Sequence, residues 1–406
     1  MPEQTKIKSL IVSTVYGGGG GRACIRLHEG LLEHPEVDSR VLIGQPLPKG
    51  ATVNVSPIHN TKLELLLRRR YTKLIAARTL RGRPPTEETF LNLRTGYAIH
   101  RHPLVQRADV INLHWTTRFL DYASFFANVK KPIVWTLHDM NPWSGGFPYD
   151  KDFPLAAYQD LVDKNLRELE RILRPVKALT IVAPSQWLVD LSKASAVFGR
   201  FRHACIPNCL DVELFRPRDQ APLRSRLGLP VNKKIILFVA NYIGHKRKGY
   251  QHLVAALEEL GKRVDPTEIC LAVVGNGNLE ALPADFETIE LGHIATQLGM
   301  AEVYAAADMF VIPSEQDNLP NTVLESLSCG TPVTGFAIGG IPEMINDPKL
   351  GRLAPTINGG ELANAMEEML STSFDRDYIR QSAVRRFAPS VQAGAYHELF
   401  ADMLKR

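Results

Sequence analysis

The sequence is poor in cysteine and in long apolar runs, and each shortage excludes a class of protein. Its five cysteines, among 406 residues, show neither the spacing of a disulfide framework nor that of a zinc site. No stretch approaches the roughly 20 apolar residues that a membrane-spanning helix needs. The first apolar run is too short for a secretory signal and predicts a buried strand. We therefore expect a cytoplasmic protein without a membrane span.

Charge is abundant but unevenly distributed. The net charge is +5, whereas the segment Lys62–Arg83 alone carries eight lysines or arginines and one glutamate. A basic amphipathic segment of this kind indicates peripheral attachment to an anionic surface, such as the inner face of the cell membrane. The alternative is a solvated helix whose apolar side chains pack on the domain, namely Leu63, Leu66, Leu67 and Leu74. Only Tyr71 offers a stacking platform there, so no nucleic-acid partner is expected.

Short apolar runs alternate with helical patterns, which is typical of doubly wound α/β domains. Strands are predicted at Leu10–Val15, Val41–Ile43, Val110–Leu113, Ile133–Leu137, Leu179–Ala183, Ile235–Ala240, Ile269–Val274, Met309–Ile312 and Pro332–Phe336. Helices are predicted at Ala23–Leu32, Tyr158–Leu173, Gln251–Leu260 and Asn321–Cys329. The proline-rich connector Ile206–Pro230 divides the pattern. We therefore predict two Rossmann-like domains, residues 1–207 and 208–389, facing a central cleft.

Two loops directly after strands are suited to anions, because ligands of such sheets bind beyond the carboxyl ends of the strands. Gly17–Gly21 precedes the first helix, where glycines let backbone N–H groups approach a phosphate. The alternative is a tight turn with a purely structural role. In the second loop, Gly244–Gly249, three adjacent basic residues include Arg247 and Lys248, which suit a diphosphate. The alternative is a solvated basic turn.

A third loop, Pro313–Gly330, carries two carboxylates at the start of a predicted helix. Asp317 and Glu325 could accept hydrogen bonds from the hydroxyls of a sugar or ribose. The backbone N–H groups of Asn321 and Thr322 would face the same ligand. The alternative is an N-capping acid and a surface glutamate.

Two histidines end neighbouring strands in the N-terminal half. His114 and His138 each follow a buried run, which indicates the wall of a ligand site. No His-x-x-x-His pair or carboxylate partner has metal-ligand spacing, so no metal site is predicted. A Gly-x-Ser-x-Gly nucleophile motif is also absent.

The motifs together resemble one family. The segment from Asp317 to Val333, DNLPNTVLESLSCGTPV, followed by the Gly-Gly-Ile-Pro-Glu of residues 339–343, resembles the retaining GT-B enzymes of glycosyltransferase family 4. Lys248-Gly249, Gly275-Asn276-Gly277 and His138-Asp139-Met140 agree with it in order and spacing. The resemblance is greatest to members of the colanic-acid and capsule type, and it covers nearly the whole chain.

The resemblance implies a role for each motif residue. Glu325 corresponds to the glutamate that holds the donor ribose, and Lys248 to the lysine that binds the pyrophosphate. Asp317 stands where the family has a sugar-binding glutamate; it is shorter by one methylene, and Glu315 could compensate. His138 corresponds to a histidine that contacts the donor sugar, so His138, Asp317 and Lys248 are the predicted catalytic residues. The other predicted donor-binding residues are Gly18, Gly19, Gly20, Arg247, Gly275, Asn276, His293, Ile294, Asn321 and Thr322.

The resemblance also implies the reaction. We expect transfer of a sugar, with retention, from a nucleoside diphosphate sugar to a glycan or lipid-linked acceptor in polysaccharide or glycoconjugate biosynthesis. No cofactor or metal is expected, because basic side chains and helix N-termini can stabilise the leaving phosphate. The last helix, about residues 390–406, is expected to pack on the N-terminal domain. The alternatives are a GT-B sugar-nucleotide epimerase and a non-catalytic relative that binds carbohydrate or membrane.

Overall fold

A computed structural model describes residues 6–59, 61–79, 90–149, 158–277, 279 and 282–405. The chain forms two compact units. The N-terminal unit comprises Met1–Cys209 together with Pro389–Arg406, and the C-terminal unit comprises Leu210–Ala388. Each unit is a parallel sheet covered by helices, as predicted for Rossmann-like domains.

The N-terminal unit is built on a seven-stranded parallel sheet of order β3-β2-β1-β4-β5-β6-β7. Its strands are β1 Ile7–Ser13, β2 Val37–Ile43, β3 Val55–Pro57, β4 Val110–Leu113, β5 Ile133–Thr136, β6 Leu179–Ala183 and β7 Arg202–Cys205. Its helices are α1 Gly18–Glu33, α2 Lys62–Thr79, α3 Pro103–Arg107, α4 Tyr122–Asn128, α5 Gln159–Leu173, α6 Gln186–Ala194 and, at the end of the chain, α14 Pro389–Leu404. Every residue of β4, β5 and β6 is buried, because helices cover both faces of the sheet.

The C-terminal unit contains a six-stranded parallel sheet of order β10-β9-β8-β11-β12-β13. Its strands are β8 Lys234–Tyr242, β9 Ile269–Asn276, β10 Glu287–Gly292, β11 Met309–Ile312, β12 Val333–Phe336 and β13 Gly351–Ala354. Its helices are α7 Gln220–Leu227, α8 Tyr250–Leu260, α9 Gln297–Ala306, α10 Asn321–Ser328, α11 Ile341–Met344, α12 Gly359–Ser371 and α13 Arg376–Phe387. The strand order reverses between β8 and β11, and such switch points are where doubly wound sheets bind ligands.

Two segments differ from the sequence prediction. The glycine cluster is the first turn of α1 rather than a loop before it, since the helix begins at Gly18. The predicted connector contains α7, which begins at the N-cap Asp219 and ends at Gly228 in the left-handed conformation. Its apolar period is weak because Arg224, a buried arginine bonded to Asp308 at 2.8 Å, occupies a core position. Among the described residues, no helix is long and apolar enough to cross a bilayer.

Candidate functional site

The predicted donor residues of the C-terminal unit lie at the carboxyl ends of its strands. Gly275 and Asn276 end β9, His293 and Ile294 follow β10, and the basic loop follows β8. Asp317 lies in the loop after β11. Because all of these strands are parallel, the structure brings the loops to one edge of the sheet. Gly275 is required there, since a Cβ at this position would lie 1.8 Å from the Ala240 carbonyl oxygen.

The basic loop is a single turn of 3₁₀ helix, Lys246–Lys248, ending at Gly249. Gly249 has a φ of +73° and leads directly into α8. A Cβ at Gly249 would lie 1.7 Å from the carbonyl oxygen of Pro313, so the β8 loop packs closely on the β11 loop. This close approach holds Lys248 beside the segment that carries Asp317.

Asp317 is the partner of that lysine. Lys248 Nζ donates to Asp317 Oδ2 at 2.7 Å, and Arg247 lies 3.7 Å from the same oxygen. Burial would raise the pKa of the Asp317 carboxyl, but Lys248 and Arg247 outweigh it and hold that pKa below its usual range. Asp317 is therefore ionised at neutral pH. The β8 loop keeps an excess of positive charge at this point, since two cations, Arg247 and Lys248, face the single carboxylate of Asp317.

The backbone around Asp317 is held by a glycine pair that the sequence prediction did not assign to the site. Gly339 has a φ of +57°, and a Cβ there would lie 1.8 Å from the Asp317 carbonyl oxygen. The backbone N–H of Gly340 donates to this oxygen at 3.3 Å. The signal for these two residues was the Gly-Gly that follows β12.

Glu315, suggested from the sequence as a substitute for the longer glutamate, is bound to α8 in this structure. Its Oε1 is 2.8 Å from His252 Nε2 and accepts a hydrogen bond from Gln251 at 2.8 Å. Both partners belong to the first turn of α8. Glu315 thus links α8 to the β11 loop.

The second predicted carboxylate is part of α10. Pro320 is the N-cap, Asn321 and Thr322 form the first turn, and Glu325 lies one turn later. Glu325 is buried, with 3% of its surface exposed. A deeply buried ionisable side chain, on a helix that begins at the carboxyl end of the sheet, is suited to bind a specific polar group.

The N-terminal unit contains a separate cluster of predicted residues, which the sheet brings together at the ends of β1, β4 and β5. Gly18, Gly19 and Gly20 form the first turn of α1, and a Cβ at Gly20 would lie 3.5 Å from the ring of His138. His138 Nε2 is 3.0 Å from His114 Nδ1. Burial lowers the pKa of His138 to about 4 and that of His114 well below its usual value. Both rings are therefore neutral at pH 7.

The basic helix α2 has two different faces. Arg68 donates to the carbonyl oxygen of Gly96 at 3.0 Å, and the Tyr71 and Ile75 side chains pack on the same glycine. The other face carries the leucines, whose exposed fractions are 65% for Leu63, 56% for Leu66, 58% for Leu67 and 64% for Leu74. The alternative that these leucines pack on the domain is wrong. Residues 80–83 of the predicted basic segment lie outside the described residues.

No group of three or more His, Cys, Asp or Glu side chains that could hold a metal ion occurs within the described part of the chain. The cations that face the Asp317 loop are instead the side chains of Arg247 and Lys248.

Comparison with known families and proteins identifies proteins similar to this chain. The family model "Glycosyl transferases group 1" matches residues 233–372. A D-inositol 3-phosphate glycosyltransferase from Thermobispora bispora is 28% identical over 295 residues, which is 68% of this chain and 66% of that protein. The enzyme of the same name from Mycobacteroides abscessus is 30% identical over 193 residues, 43% of this chain and 41% of that protein. The chain thus spans less than two thirds of the length of these relatives.

Solved structures share the whole fold at low sequence identity. Sucrose-phosphate synthase from Thermosynechococcus elongatus superposes with a TM-score of 0.67 at 17% identity, covering 98% of this chain and 100% of that one. Anabaena Alr3699/HepE, solved in complex with UDP and glucose, gives the same TM-score, identity and coverage. The chain therefore has the GT-B fold of these structures, and its residues 233–372 match the family glycosyl transferases group 1.

Proposed function

We propose that this protein is a retaining glycosyltransferase that moves a sugar from a nucleoside diphosphate sugar to a glycan or lipid-linked acceptor in polysaccharide or glycoconjugate biosynthesis. The observation that carries the proposal is the pair of cations, Arg247 and Lys248, at the switch point of a glycosyl transferases group 1 domain. Cleavage of a sugar–diphosphate bond develops negative charge on the leaving phosphate. Fixed cations at that position stabilise the transition state more than the ground state.

The other predicted residues of the C-terminal unit would each bind a different part of the donor. Glu325 would accept hydrogen bonds from the ribose hydroxyls, as the family resemblance implies. The loops at Gly275–Asn276 and His293–Ile294 would hold the base, largely through their backbone. The first turn of α10, with Asn321 and Thr322, would donate N–H groups to the donor.

We assign the acceptor to the N-terminal unit; Gly18–Gly20 and His138 form one cluster there, and His138 keeps its predicted role as a contact to the donor sugar. The neutral ring of His138 can donate or accept a hydrogen bond from a sugar hydroxyl without adding charge beside a developing oxocarbenium ion. Since the leaving diphosphate can take the proton of the acceptor hydroxyl, this assignment needs no separate base.

Donor binding is the first test. Thermal shift and calorimetry with UDP, GDP, ADP and their glucose esters should identify one nucleotide that stabilises the protein. Glu325→Gln, which removes one charge at constant shape, should weaken binding of that nucleotide at least about tenfold, since hydrogen bonds to charged groups contribute about 1.5–3 kcal/mol. The matched control is Glu361→Gln in the first turn of α12. Equal binding by wild type and Glu325→Gln would contradict the assignment.

Transfer is the second test. The relatives are named D-inositol 3-phosphate glycosyltransferases, and one structural neighbour was solved with UDP-glucose. The first substrates to try are therefore UDP-glucose as donor, with D-inositol 3-phosphate or a lipid extract as acceptor. Release of nucleoside diphosphate that requires the acceptor supports a transferase. Conversion of the donor without an acceptor would indicate an epimerase instead.

We further propose that α2 attaches the protein to an anionic membrane surface. Leu63, Leu66, Leu67 and Leu74 are spaced so that they share one face of a helix, and each is more than half exposed. Exposed basic residues of the same helix lie in or beside that face: Arg70 falls among the leucines, and Arg69, Lys73 and Arg78 flank them. Apolar side chains can enter the acyl boundary while the cations bind lipid phosphates.

Vesicle co-sedimentation tests this attachment. The protein should pellet with vesicles that contain phosphatidylglycerol, pellet less with pure phosphatidylcholine, and be released by high salt. Replacing Leu63 and Leu67 with glutamine should reduce pelleting. The matched control replaces Leu298 and Leu404, which are 48% and 42% exposed on other helices. Equal losses in the two double variants would contradict a specific role for α2.

A further inference from the structure

Both carboxylate oxygens of Asp317 already accept hydrogen bonds from the protein. Its Oδ2 accepts from Lys248 Nζ at 2.7 Å, and its Oδ1 accepts from the backbone N–H of Asn318 at 3.2 Å. Only 10% of its side-chain surface is exposed. Its side chain is also one methylene shorter than the glutamate that the family resemblance implies. Both oxygens are thus turned toward the protein's own donors.

The backbone of Asp317 is also fixed. Its carbonyl oxygen accepts from Gly340, and Gly339 packs against that oxygen so closely that no side chain would fit. An aspartate has only two rotatable side-chain bonds. On a fixed backbone, such a short side chain can move its carboxylate only a short distance from Lys248.

A diphosphate bound to Lys248 must come close to this carboxylate. A charge-assisted N–H···O bond is about 2.8 Å long, so a phosphate oxygen on Nζ lies within roughly 5.5 Å of Asp317 Oδ2. Two anions at this separation repel each other in a partly buried site. Lys248, whose side chain is about one third exposed, can donate to both because an ammonium has three hydrogens.

We propose that Asp317 is the resident counter-ion of Lys248, competing with the diphosphate of donor and product for the same ammonium, and is not a contact to the donor sugar. In the empty site Asp317 neutralises and orients the lysine. In the occupied site its repulsion limits the affinity for the nucleoside diphosphate, which favours release of the product. Asp317 is then a positioning residue, and this inference rests on the proposed function.

The test is binding of nucleoside diphosphate with and without its sugar. The probe is whichever of UDP, GDP and ADP binds the wild-type protein most tightly, together with its glucose ester. Asp317→Asn should tighten both by a similar factor, about tenfold, because one like charge is lost. The constant for product inhibition by the nucleoside diphosphate should fall by the same factor, and kcat should fall as release slows.

Further variants serve as controls. Asp317→Glu keeps the charge that Asp317→Asn removes, so its diphosphate affinity should lie within about threefold of wild type. Glu315→Gln removes a charge from the same loop but from a side chain that binds His252 and Gln251, so it should have little effect on affinity. Asp317→Ser repeats the measurement if the asparagine variant does not fold.

The opposite outcomes are distinct. Unchanged affinity for the diphosphate with weaker binding of the sugar ester would make Asp317 a sugar contact and overturn the inference. Weaker binding of both ligands would also overturn it, since the carboxylate would then be needed to hold the lysine for the phosphate. If no nucleoside diphosphate binds the wild-type protein, the proposed function fails and this inference fails with it.

Discussion

His114 and His138, from two adjacent strand ends, share a hydrogen bond of 3.0 Å between Nδ1 of the first and Nε2 of the second. A bond between two neutral imidazoles requires one ring to donate and the other to accept. Protonation of both rings would leave two donors facing each other. The pair is therefore built for the neutral state, which its burial favours.

We expect the stability of the protein to fall as the pH drops from about 6.5 to 4. Burial holds the pKa of His138 at about 4 in the folded state, whereas the unfolded chain has the ordinary value near 6.5. Between pH 6.5 and 4 the unfolded state binds a proton at His138 and the native state does not. The contribution of the neutral ring to the free energy of unfolding is therefore full above pH 6.5 and is lost as the pH falls below it. For His138 alone the loss at pH 5 is about 2 kcal/mol. Urea unfolding at pH 7.5 and pH 5 measures it.

The control is His138→Asn, which cannot titrate in this range. Its free energy of unfolding should depend less on pH than that of the wild type. His102→Asn, at a half-exposed position outside the cluster, should leave the slope closer to that of the wild type. Parallel pH profiles for wild type and His138→Asn would contradict the assignment of the slope to His138.

The sequence predicted buried strands better than exposed ones. The runs Val110–Leu113, Leu179–Ala183 and Met309–Ile312 were predicted to the residue, because strands covered on both faces are continuously apolar. The four edge strands β3, β7, β10 and β13 were missed, because they are short or carry polar residues and show no sustained apolar run. Edge strands acquire their conformation from pairing with a neighbour, which no local pattern records.

In the candidate site, too, local features were visible in the sequence and long-range contacts were not. The basic loop and the carboxylates were chosen because charged residues after buried strands are conspicuous in the sequence, and their role in binding stays a prediction. The bond from Lys248 to Asp317 was not predicted, since it joins residues 69 positions apart through the packing of Gly249 on Pro313. The exposed face of α2 could not be chosen from sequence either, because the spacing of its leucines suits a core and a membrane equally well.

Tyr396→Phe should destabilise the protein by about 1–2 kcal/mol, because a buried hydrogen bond is lost and its partner is left under-satisfied. The Tyr396 hydroxyl is 2.8 Å from Thr136 Oγ1, which itself donates to Asn112. This network ties α14 to β4 and β5. Chemical denaturation measures the change, with Tyr242→Phe at a half-exposed position as control. Equal effects of the two substitutions would show that the network adds no stability.

Gly249→Ala should reduce both stability and nucleotide binding. The new Cβ would lie 1.7 Å from the Pro313 carbonyl oxygen, so the two loops must move apart. Gly228→Ala is the matched control, because Gly228 has a similar φ of +70° but open space around it. That control should cost only the left-handed strain, about 1–2 kcal/mol. Thermal melts with and without nucleotide compare them, and similar losses in both would contradict a role for the close contact.

Sugar transfer should survive removal of divalent metal. In the proposed reaction the charge that develops on the leaving diphosphate would be stabilised by Lys248 and Arg247, which share the single carboxylate of Asp317. Preorganised cations of this kind stabilise a phosphate without a metal ion. The rate should therefore change less than about twofold after dialysis against EDTA, a difference well under 1 kcal/mol in the barrier. Lys248→Met supplies the comparison, since removing the cation should lower kcat by orders of magnitude. A rate that collapses in EDTA and returns with Mg²⁺ would show that the two side chains are insufficient.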